Sequence, residues 1–389
     1  MNQISRPDVV ARARDVAPVI AAEADAIERA GRLTAPVLDA LHEARLFRML
    51  LPRAFGGDEV HPVEYARAVE EISRQDGSTG WCVFVGCSSS LLAAFMEPAS
   101  AREIFADPRA SVAWGPPGKP IAIAVPGGYR VSGVWPFASG CRHATWMGAH
   151  CQVREPDGSL RLHPSGRPLI RSLLFPADRA RIIDDWNVMG LRGTASSSYV
   201  IEDVFVPEEF SATREDMRAV RTPGKLYSFS QMGLYSVGCA AVALGIARAM
   251  LDEFVAVASS KTPRGIVPLA QNPVVHLQLA QTEARLAASR AFLAEALGEA
   301  WTIADPAEPL GLVPRARVRL AAIHALQTAA EVGDYAYKAA GTDGIFVGAP
   351  LERRFRDLHT VSQQIQARLA NFEPVGKVLL GQEPDGVIL

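Results

Sequence analysis

The chain has 389 residues, which is enough for two or three packed units because a single hydrophobic core usually stops growing near about 250 to 300 residues. Hydrophobic residues make up 49% of the sequence and charged residues 21%, and the formal net charge is only -2. This balance is ordinary for a soluble globular protein and creates no strong field of either sign, so we expect neither nucleic acid nor an anionic membrane as a partner.

Cysteine usage indicates neither a disulfide framework nor a zinc site. The number of cysteines is odd, and none forms a closely spaced pair with histidines nearby. The sequence begins without an apolar run, and we identify no apolar stretch of about 18 residues, so we expect neither a signal peptide nor a spanning helix. We therefore predict a cytoplasmic protein without a metal. The cysteines are Cys82, Cys87, Cys141, Cys151 and Cys239.

Residues 1–109 are predicted to form an N-terminal helical domain. Apolar residues recur at helical spacing, for example at Val9, Ala13 and Val16. A cluster of proline and glycine predicts a turn at residues 51–57. Further helices, the second of them after a capping sequence, are predicted at residues 61–72 and 78–95.

Residues 110–212 are predicted to form a middle antiparallel β domain. The apolar pattern changes here to alternation, and Pro-Gly, Gly-Gly and Pro-Asp-Gly turns separate the segments. The strand candidates are residues 121–125, 129–134, 146–153, 172–175, 182–188 and 197–206.

Residues 213–389 are predicted to form a C-terminal domain built as a four-helix bundle. Apolar faces with charges opposite predict long helices at residues 231–259, 273–304 and 314–340. The order of helices, then strands, then helices makes the chain an α+β protein. Broad apolar faces on such helices are commonly buried against neighbouring subunits, so we expect a homo-oligomer.

Three separate segments carry a resemblance to a known family. Residues 127–141 predict a short strand that ends in a serine beside two aromatic residues, an arrangement that can hold a flat heterocycle. Residues 190–196 and 353–357 add a glycine-containing turn and an arginine-rich stretch. Together they resemble the acyl-CoA dehydrogenase fold, and within it the two-component flavin-dependent monooxygenases, over nearly the whole chain. The resemblance implies reduced FAD or FMN as the cofactor, a separate flavin reductase as the partner, and a homotetramer.

The resemblance places the flavin ring against the strand end. Ser139 would form a hydrogen bond near flavin N5, where a C4a-hydroperoxyflavin survives only if water is kept away and the peroxide is held by fixed dipoles. Trp135 and Phe137 would lie against the ring, and Trp114 would line it from the neighbouring strand. From spacing alone, Trp135 and Phe137 are more typical of a sheet core and Ser139 of a turn that follows it. Trp114 could equally be structural.

Further residues are assigned to the cofactor by the resemblance, each with a plainer alternative. Trp81 would line one wall of the flavin pocket, or would be a core residue at the start of a helix. Arg192, in a glycine turn, would lie beside the flavin, or would simply be exposed in a strand connection. Arg264 would reach the flavin phosphates of a neighbouring subunit, or would belong to a solvated basic loop. Gly341 and Thr342 would contact the cofactor tail, or would only end a helix.

The residues after the Arg356-Asp357 pair distinguish two chemistries. In the resembling family, an acyl-CoA dehydrogenase removes an α-proton with a glutamate placed either soon after this pair or on the first long C-terminal helix. The first location holds Gln363 and Gln364, and residues 226–250 contain no Asp or Glu. Because an amide cannot abstract a proton, the dehydrogenase interpretation lacks its base and oxygen chemistry is favoured.

The substrate class is predicted from two further positions. Phenol hydroxylases of this branch often carry one histidine on the helix after the Ser-Thr-Gly-Trp motif and another just after the Arg-Asp pair, where this chain has Ser88 or Ser89 and Gln364. Since such histidines draw a proton from a phenol, we predict instead an electron-rich, indole-like small aromatic substrate that is hydroxylated with O2. The catalytic candidates are Ser139, Gln364 and His359, and His359 would steer a proton, position the substrate or be structural.

Two alternatives to this function stay open. An N-oxygenase, or an acyl-CoA dehydrogenase with a relocated base, would use the same fold, and activity on a CoA thioester without oxygen would identify the dehydrogenase. A non-catalytic helical scaffold would have kept the fold and lost the cofactor. Binding of reduced flavin separates the scaffold from both enzymes.

Overall fold

The computed structural model describes residues 8–116, 120–163, 166–213, 216–265 and 267–384. The helices are α1 (Val9–Ala30), α2 (Ala35–Glu43), α3 (Pro62–Gln75), α4 (Gly77–Ser90), α5 (Pro98–Phe105), α6 (Gln231–Ser260), α7 (Pro273–Ile303), α8 (Leu312–Ala340), α9 (Pro350–Ser362) and α10 (Phe372–Leu379). The strands are β1 (Val112–Trp114), β2 (Ile121–Val125), β3 (Gly128–Trp135), β4 (Trp146–Arg154), β5 (Ile170–Pro176), β6 (Arg181–Ile182), β7 (Tyr199–Pro207) and β8 (Ser211–Ala212). This order confirms the predicted α+β class.

The strands form one mixed sheet in the order β6-β7-β3-β2-β4-β5-β8, with β1 paired to β4. The prediction of an antiparallel domain is therefore wrong in part, because β1 and β2 both run parallel to β4. Alternating apolar residues predict a strand, but they do not predict the direction of its neighbours. The strand predicted at residues 182–188 is also wrong, since β6 ends at Ile182.

Helix α4 joins the N-terminal helices to the sheet. Asp76 caps its N-terminus, and one carboxylate oxygen of Asp76 accepts hydrogen bonds from the backbone N and from Oγ1 of Thr79, both at 2.7 Å. The capping start predicted from the sequence is therefore confirmed. The helix ends earlier than predicted, at Ser90, and the chain continues to Phe95 as a 3-10 turn.

Among the residues that the structure describes, two helical segments are long and apolar enough to cross a membrane by length and composition alone, Gly77–Phe95 and Gln231–Ser260. The expectation that the chain has no such stretch is therefore wrong. In their most apolar windows, 94% and 89% of the residues are buried inside the protein, and core helices of soluble proteins meet the same criteria. The fold itself thus accounts for the apolar character of both segments.

Helix α6 forms the centre of the C-terminal bundle. Ser230 caps it, since Ser230 Oγ accepts a hydrogen bond from the backbone N of Gly233 at 3.0 Å, and the helix packs against α3, α4, α8 and α9. The predicted long helices agree with α6, α7 and α8 to within a few residues. Helix α7 buries only a narrow stripe of its surface in the single chain. The predicted boundaries between the three domains stay predictions.

The sheet has a core of its own. Trp135 stacks on Tyr199 with ring centroids 5.3 Å apart, and the Tyr199 hydroxyl donates to the backbone O of Gly148 at 2.6 Å. Beside this core, the loop that precedes β7 turns toward α4, where the backbone N of Gly193 donates to Ser78 Oγ at 3.1 Å. The seam between the sheet and α4 therefore lies at this loop.

Candidate active site

Four buried side chains form a hydrogen-bonded series at the seam between the sheet and α4. The indole Nε1 of Trp81 donates to Ser139 Oγ at 3.0 Å. Ser139 Oγ lies 2.6 Å from Ser196 Oγ, which in turn lies 2.6 Å from Thr194 Oγ1. Thr194 Oγ1 donates to the backbone O of Leu191 at 2.8 Å. We call these four side chains the hydroxyl network; all are neutral, so the network can orient a ligand but is not a general base at neutral pH.

Phe137 is the residue of the strand end that is most available to a flat ligand. Its side chain is 60% exposed, and its ring meets Trp186 edge to face with centroids 6.1 Å apart. The backbone φ of Phe137 is 59°, which is uncommon for a residue other than glycine. This conformation takes Phe137 out of the alternation of β3, so its ring does not join Trp135 in the sheet core.

The structure separates the three tryptophans that were assigned to the cofactor. Trp135 has no exposed surface, and its Nε1 donates to the backbone O of His150 at 3.3 Å within the sheet core. Its assignment as a cofactor contact is therefore wrong, and the alternative of a core aromatic holds. Trp114 is buried with its ring 4.7 Å from that of His150, which favours a structural role. Trp81 belongs to the hydroxyl network.

The glycine turn that carries Thr194 is held against α9. The backbone N of Leu191 donates to Oδ1 of the buried Asp357 at 2.6 Å. A Cβ on Gly190 would overlap the backbone of α9 and lie 2.7 Å from the backbone N of Asp357, so only glycine permits this approach. Burial, and then the negative charge of Asp76, raise the pKa of Asp357 to about 7.

A cavity of about 1040 Å³ opens beside this turn. Ala195 and Ser197 line it together with Arg192, and its other walls come from the end of α1, the loop residues 184–189, Arg142 and the start of α9. The exposed guanidinium of Arg192 lies 3.6 Å from Glu28, and its Nε donates to the backbone O of Val188 at 3.0 Å. Arg192 therefore faces a space large enough for a ligand, and its contact with a cofactor stays a prediction.

The two segments predicted to hold the cofactor tail lie together at one end of the bundle. Lys261 Nζ donates to a backbone carbonyl at the end of α8 at 2.7 Å and pairs with Asp343 at 2.8 Å. This contact brings the loop of Arg264 beside the turn of Gly341 and Thr342. Across the described ranges, Arg264 forms no hydrogen bond or ion pair, and neither segment bonds to the hydroxyl network.

His359 and Gln364 make local contacts of their own. His359 Nε2 lies 3.0 Å from Asp334 Oδ1, and its ring packs edge to face on Phe355 at 4.2 Å. These contacts favour the structural alternative for His359. The side chain of Gln364 accepts a hydrogen bond from the backbone N of Gln366 at 2.5 Å and so caps a short turn. Within the part of the chain that is described, neither side chain bonds to the hydroxyl network, so their catalytic role stays a prediction.

The chain is similar to proteins of known activity along most of its length. The models for the acyl-CoA dehydrogenase N-terminal and C-terminal domains match residues 8–103 and 237–368. The indole-3-acetate monooxygenase of Pseudomonas putida is 30% identical over 92% of this chain and 90% of its own length. The oxygenase component of the FADH(2)-dependent resorcinol hydroxylase of Rhizobium sp. (strain MTP-10005) is 31% identical over 97% of this chain and 95% of its own length. The chain belongs to the flavin-dependent monooxygenases with the acyl-CoA dehydrogenase fold.

A solved structure agrees with the assignment of this chain to that family. XiaF from Streptomyces sp., in complex with FADH2 and glycerol, superimposes with a TM-score of 0.89 at 25% identity and covers 97% of this chain and 96% of its own. The predicted fold and the predicted enzyme class, the oxygenase component of a two-component monooxygenase, are confirmed. The predicted cofactor, reduced FAD or FMN, is confirmed at the level of the family, and such a component implies a partner flavin reductase.

The side chains of this oxygenase component fit a reduced flavin. Ser139 Oγ accepts a hydrogen bond from Trp81 and shares one with Ser196, which leaves it one further hydrogen-bonding position for a ligand. Phe137 offers an exposed aromatic ring, and Arg264 offers a guanidinium of the kind that binds phosphate oxygens in a fork. The chain thus has groups suited to the N5 edge, the ring face and the phosphate tail.

Sequence analysis missed Ser196 as a member of the site. Ser196 ends the segment 190–196 that carries part of the resemblance and begins a run of three serines, but serine runs are common in loops and neither signal gave it a role. Its partner Ser139 lies 57 positions earlier in the chain, so their contact depends on how β3 and the loop before β7 meet in the folded sheet.

Proposed function

We propose that this oxygenase hydroxylates an electron-rich, indole-like aromatic compound, using O2 and reduced flavin that a separate reductase delivers. The observation that carries this substrate class is the neutrality of the hydroxyl network around Ser139. Bound reduced flavin supplies the activation of O2, and the chain supplies the pocket that holds flavin and substrate. A phenol reacts best after a base has taken its proton, whereas an indole ring is electron-rich without losing one.

The same substrate class is supported by the residues that this chain has where phenol hydroxylases of this branch often carry histidine. The hydroxyl of Ser89 donates a hydrogen bond to the backbone O of Val85 at 2.9 Å, within α4. Ser88 is buried in the same helix, and Gln364 is bonded to its own turn. None of these three side chains can take a proton from a phenol at neutral pH.

The histidine closest in sequence to Ser139 is a weak base. His143 packs its ring 5.7 Å from that of Phe47. Burial, assisted by the nearby His42, lowers the pKa of His143 to about 4. A general base works best with a pKa near the working pH, so His143 is poorly suited to activate a phenol.

The names of the relatives support an oxygenase but span two substrate classes. The Pseudomonas relative is named for indole-3-acetate, and the Rhizobium relative is named for resorcinol, a phenol. Their identities to this chain, 30% and 31%, are nearly equal. The choice between the two classes therefore depends on the residues of this chain.

The proposal includes a homotetramer. The resemblance implies that Arg264 reaches the cofactor phosphates of a neighbouring subunit, and in one chain this arginine forms no hydrogen bond or ion pair among the described residues. Helix α7 exposes apolar side chains such as Val274 and Leu277, which would be covered in such an assembly. Light scattering after gel filtration tests the predicted mass of four chains, and a monomer at micromolar concentration would refute it.

Single-turnover mixing tests the substrate class. The protein and chemically reduced FMN or FAD are mixed with buffer containing labelled O2 and equal concentrations of indole and phenol. We expect labelled hydroxyindole to form faster than labelled dihydroxybenzene. Faster conversion of phenol would refute the substrate class, and release of peroxide without any organic product would refute the oxygenase function.

Gln364→His is the matched variant for this experiment. It restores a histidine at a position where phenol hydroxylases carry one, on a half-buried turn that can accommodate it. We expect the ratio of phenol product to indole product to rise in this variant. An unchanged ratio would show that this position does not set the substrate class.

A further inference from the structure

We propose that Arg319 binds a carboxylate group of the substrate, and that the oxygenase therefore acts on aromatic acids in preference to the corresponding neutral compounds. This role rests on the oxygenase activity of the proposed function and adds a charged group to the substrate, but it does not depend on whether the ring is an indole or a phenol. It starts from a buried positive charge in α8 that has no negative partner in the described part of the chain.

Arg319 is a buried cation with a single hydrogen-bond partner. Only 2% of the residue is exposed, and its Nη1 donates to Oε1 of Gln366. Its Nε has no hydrogen-bond partner, and within the described residues Arg319 forms no ion pair. Burial lowers the pKa of Arg319 to about 10, so the guanidinium still carries its charge at neutral pH.

A buried arginine without an anion adds little to the stability of a fold. Desolvation of a charge is unfavourable unless an opposite charge and further hydrogen bonds compensate it, and the amide oxygen of Gln366 accepts only one of the N–H groups of the guanidinium. A carboxylate would accept two N–H groups side by side and would supply the missing negative charge. The surroundings of Arg319 therefore indicate a ligand that carries a carboxylate.

Arg319 lies between α6 and the turn that follows α9. Burial raises the pKa of the Cys239 thiol in α6, and the nearby charge of Arg319 opposes this effect. Its hydrogen-bond partner Gln366 belongs to the turn at residues 365–367, which Gln364 caps. Ile365, in the same turn, is 53% exposed. The amide of Gln366, on a short turn with an exposed outer side, thus occupies the place where a carboxylate would bind.

A series of aromatic rings connects the hydroxyl network to the same part of α6. The indole of Trp81, a member of the network, meets the ring of Phe84 edge to face with centroids 4.8 Å apart. Phe84 in turn meets Tyr235 edge to face at 5.0 Å. Tyr235 precedes Cys239 by one helical turn, so the two lie on the same face of α6. A substrate ring at the hydroxyl network would direct an acidic side chain along these rings toward Arg319.

Matched pairs of an aromatic acid and its amide test the recognition of the charge. Indole-3-acetic acid and indole-3-acetamide have nearly the same shape, and 4-hydroxyphenylacetic acid and its amide form a second pair with a phenol ring. KM is measured with reduced flavin and O2, and Kd is measured by titration calorimetry. In the pair that is converted, we expect KM and Kd of the acid to be lower than those of the amide by about tenfold or more. Equal values for acid and amide would overturn the proposal.

Two substitutions and a control assign the preference to Arg319. Arg319→Met fills a similar space without a charge and should lose most of the preference for the acid, whereas Arg319→Lys keeps a charge and should retain part of it. Arg317→Met is the matched control, because the side chain of Arg317 is 41% exposed and pairs with Glu295 and Glu299, and it should keep the full preference. A preference that Arg319→Met leaves unchanged would overturn the proposal.

Urea unfolding without ligand separates substrate binding from a structural role. Arg319→Met combined with Gln366→Leu removes the buried cation together with its acceptor, so we expect the urea midpoint of this double variant to equal or exceed that of the unaltered protein. A clearly lower midpoint would assign Arg319 to the fold and overturn the proposal. The same result would follow if acetate or chloride raised the midpoint of the unaltered protein as much as an equal concentration of the aromatic acid, since the cation would then only hold a free anion.

The outcome is separable from the fate of the proposed function. Faster conversion of the phenol pair than of the indole pair would refute the proposed substrate class, yet a preference for the phenol acid that depends on Arg319 would support the role of this arginine. Hydroxylation of both indole compounds without any preference for the acid would overturn that role alone. Absence of binding to either pair would overturn both.

Discussion

The buried carboxyl of Asp357 should make the stability of this oxygenase depend on pH in a way that one substitution removes. Its Oδ1 accepts the hydrogen bond from the backbone N of Leu191, and the residue is only 1% exposed. Burial raises its pKa first, followed by the charges of Asp76 and Glu28, while Leu191 N and Arg353 act in the opposite direction. The pKa is about 7 in the folded protein, against an ordinary value of 3.8.

The sign and size of the effect follow from these two values. The folded protein holds this proton more tightly than the unfolded chain, so the stabilisation is complete below about pH 4 and is lost as the pH rises toward 7. Each unit of difference between the folded and unfolded pKa changes the free energy of unfolding by about 1.4 kcal/mol, so the full difference corresponds to about 4 kcal/mol. Asp357→Asn keeps an acceptor for Leu191 and has no charge to acquire.

Urea unfolding at several pH values, followed by tryptophan fluorescence, provides the measurement. We expect the free energy of unfolding of Asp357→Asn, minus that of the unaltered protein, to grow by about 3 kcal/mol between pH 5 and pH 8. Asp184→Asn is the matched control, because that carboxylate is 94% exposed and its loss should change stability by less than about 0.5 kcal/mol. A difference that stays constant with pH, or that shrinks as the pH rises, would refute the reasoning.

Three further predictions concern other parts of the molecule. Gly190→Ala should lower the free energy of unfolding, measured in urea, by about 1 to 3 kcal/mol because its methyl group meets the backbone of α9. Gly298→Ala has open space around the added carbon and should raise the free energy of unfolding by about 0.5 to 1 kcal/mol. Equal effects of the two substitutions would contradict the packing argument. Tyr199→Phe should cost about 1 to 2 kcal/mol in the same assay, since it deletes a buried hydrogen bond of 2.6 Å, and a neutral result would mean that water replaces the hydroxyl. Arg264→Ala should weaken binding of reduced FMN and FAD about tenfold in dialysis while leaving urea unfolding unchanged; a large loss of stability would assign this arginine to the fold instead.

Local sequence patterns predicted the long elements of the fold well. Helices α6, α7 and α8 are long enough for their apolar periodicity to be unambiguous, and their ends were placed to within a few residues. The capping sequence at Asp76 likewise marked the start of α4. The direction of strand pairing was not predictable in this way, because alternation along β2 and β4 is the same for parallel and antiparallel neighbours.

The candidate site shows more clearly where local patterns fail. Alternation puts Trp135 and Phe137 on the same face of a strand and favours a sheet core for both, and only the resemblance assigned them to the flavin. The strand ends at Trp135, and the left-handed backbone of Phe137 breaks the alternation. One ring is therefore buried in the sheet and the other is exposed. Ser196 could not be found because its contact with Ser139 exists only in the folded sheet.

The attachment of the glycine turn to α9 has a consequence for when the oxygenase becomes competent during synthesis. Leu191 is secured by Asp357, which lies 166 positions later in the chain. The glycine turn therefore stays unanchored during synthesis until α9 has emerged and packed, so this part of the site forms after the N-terminal helices and the sheet.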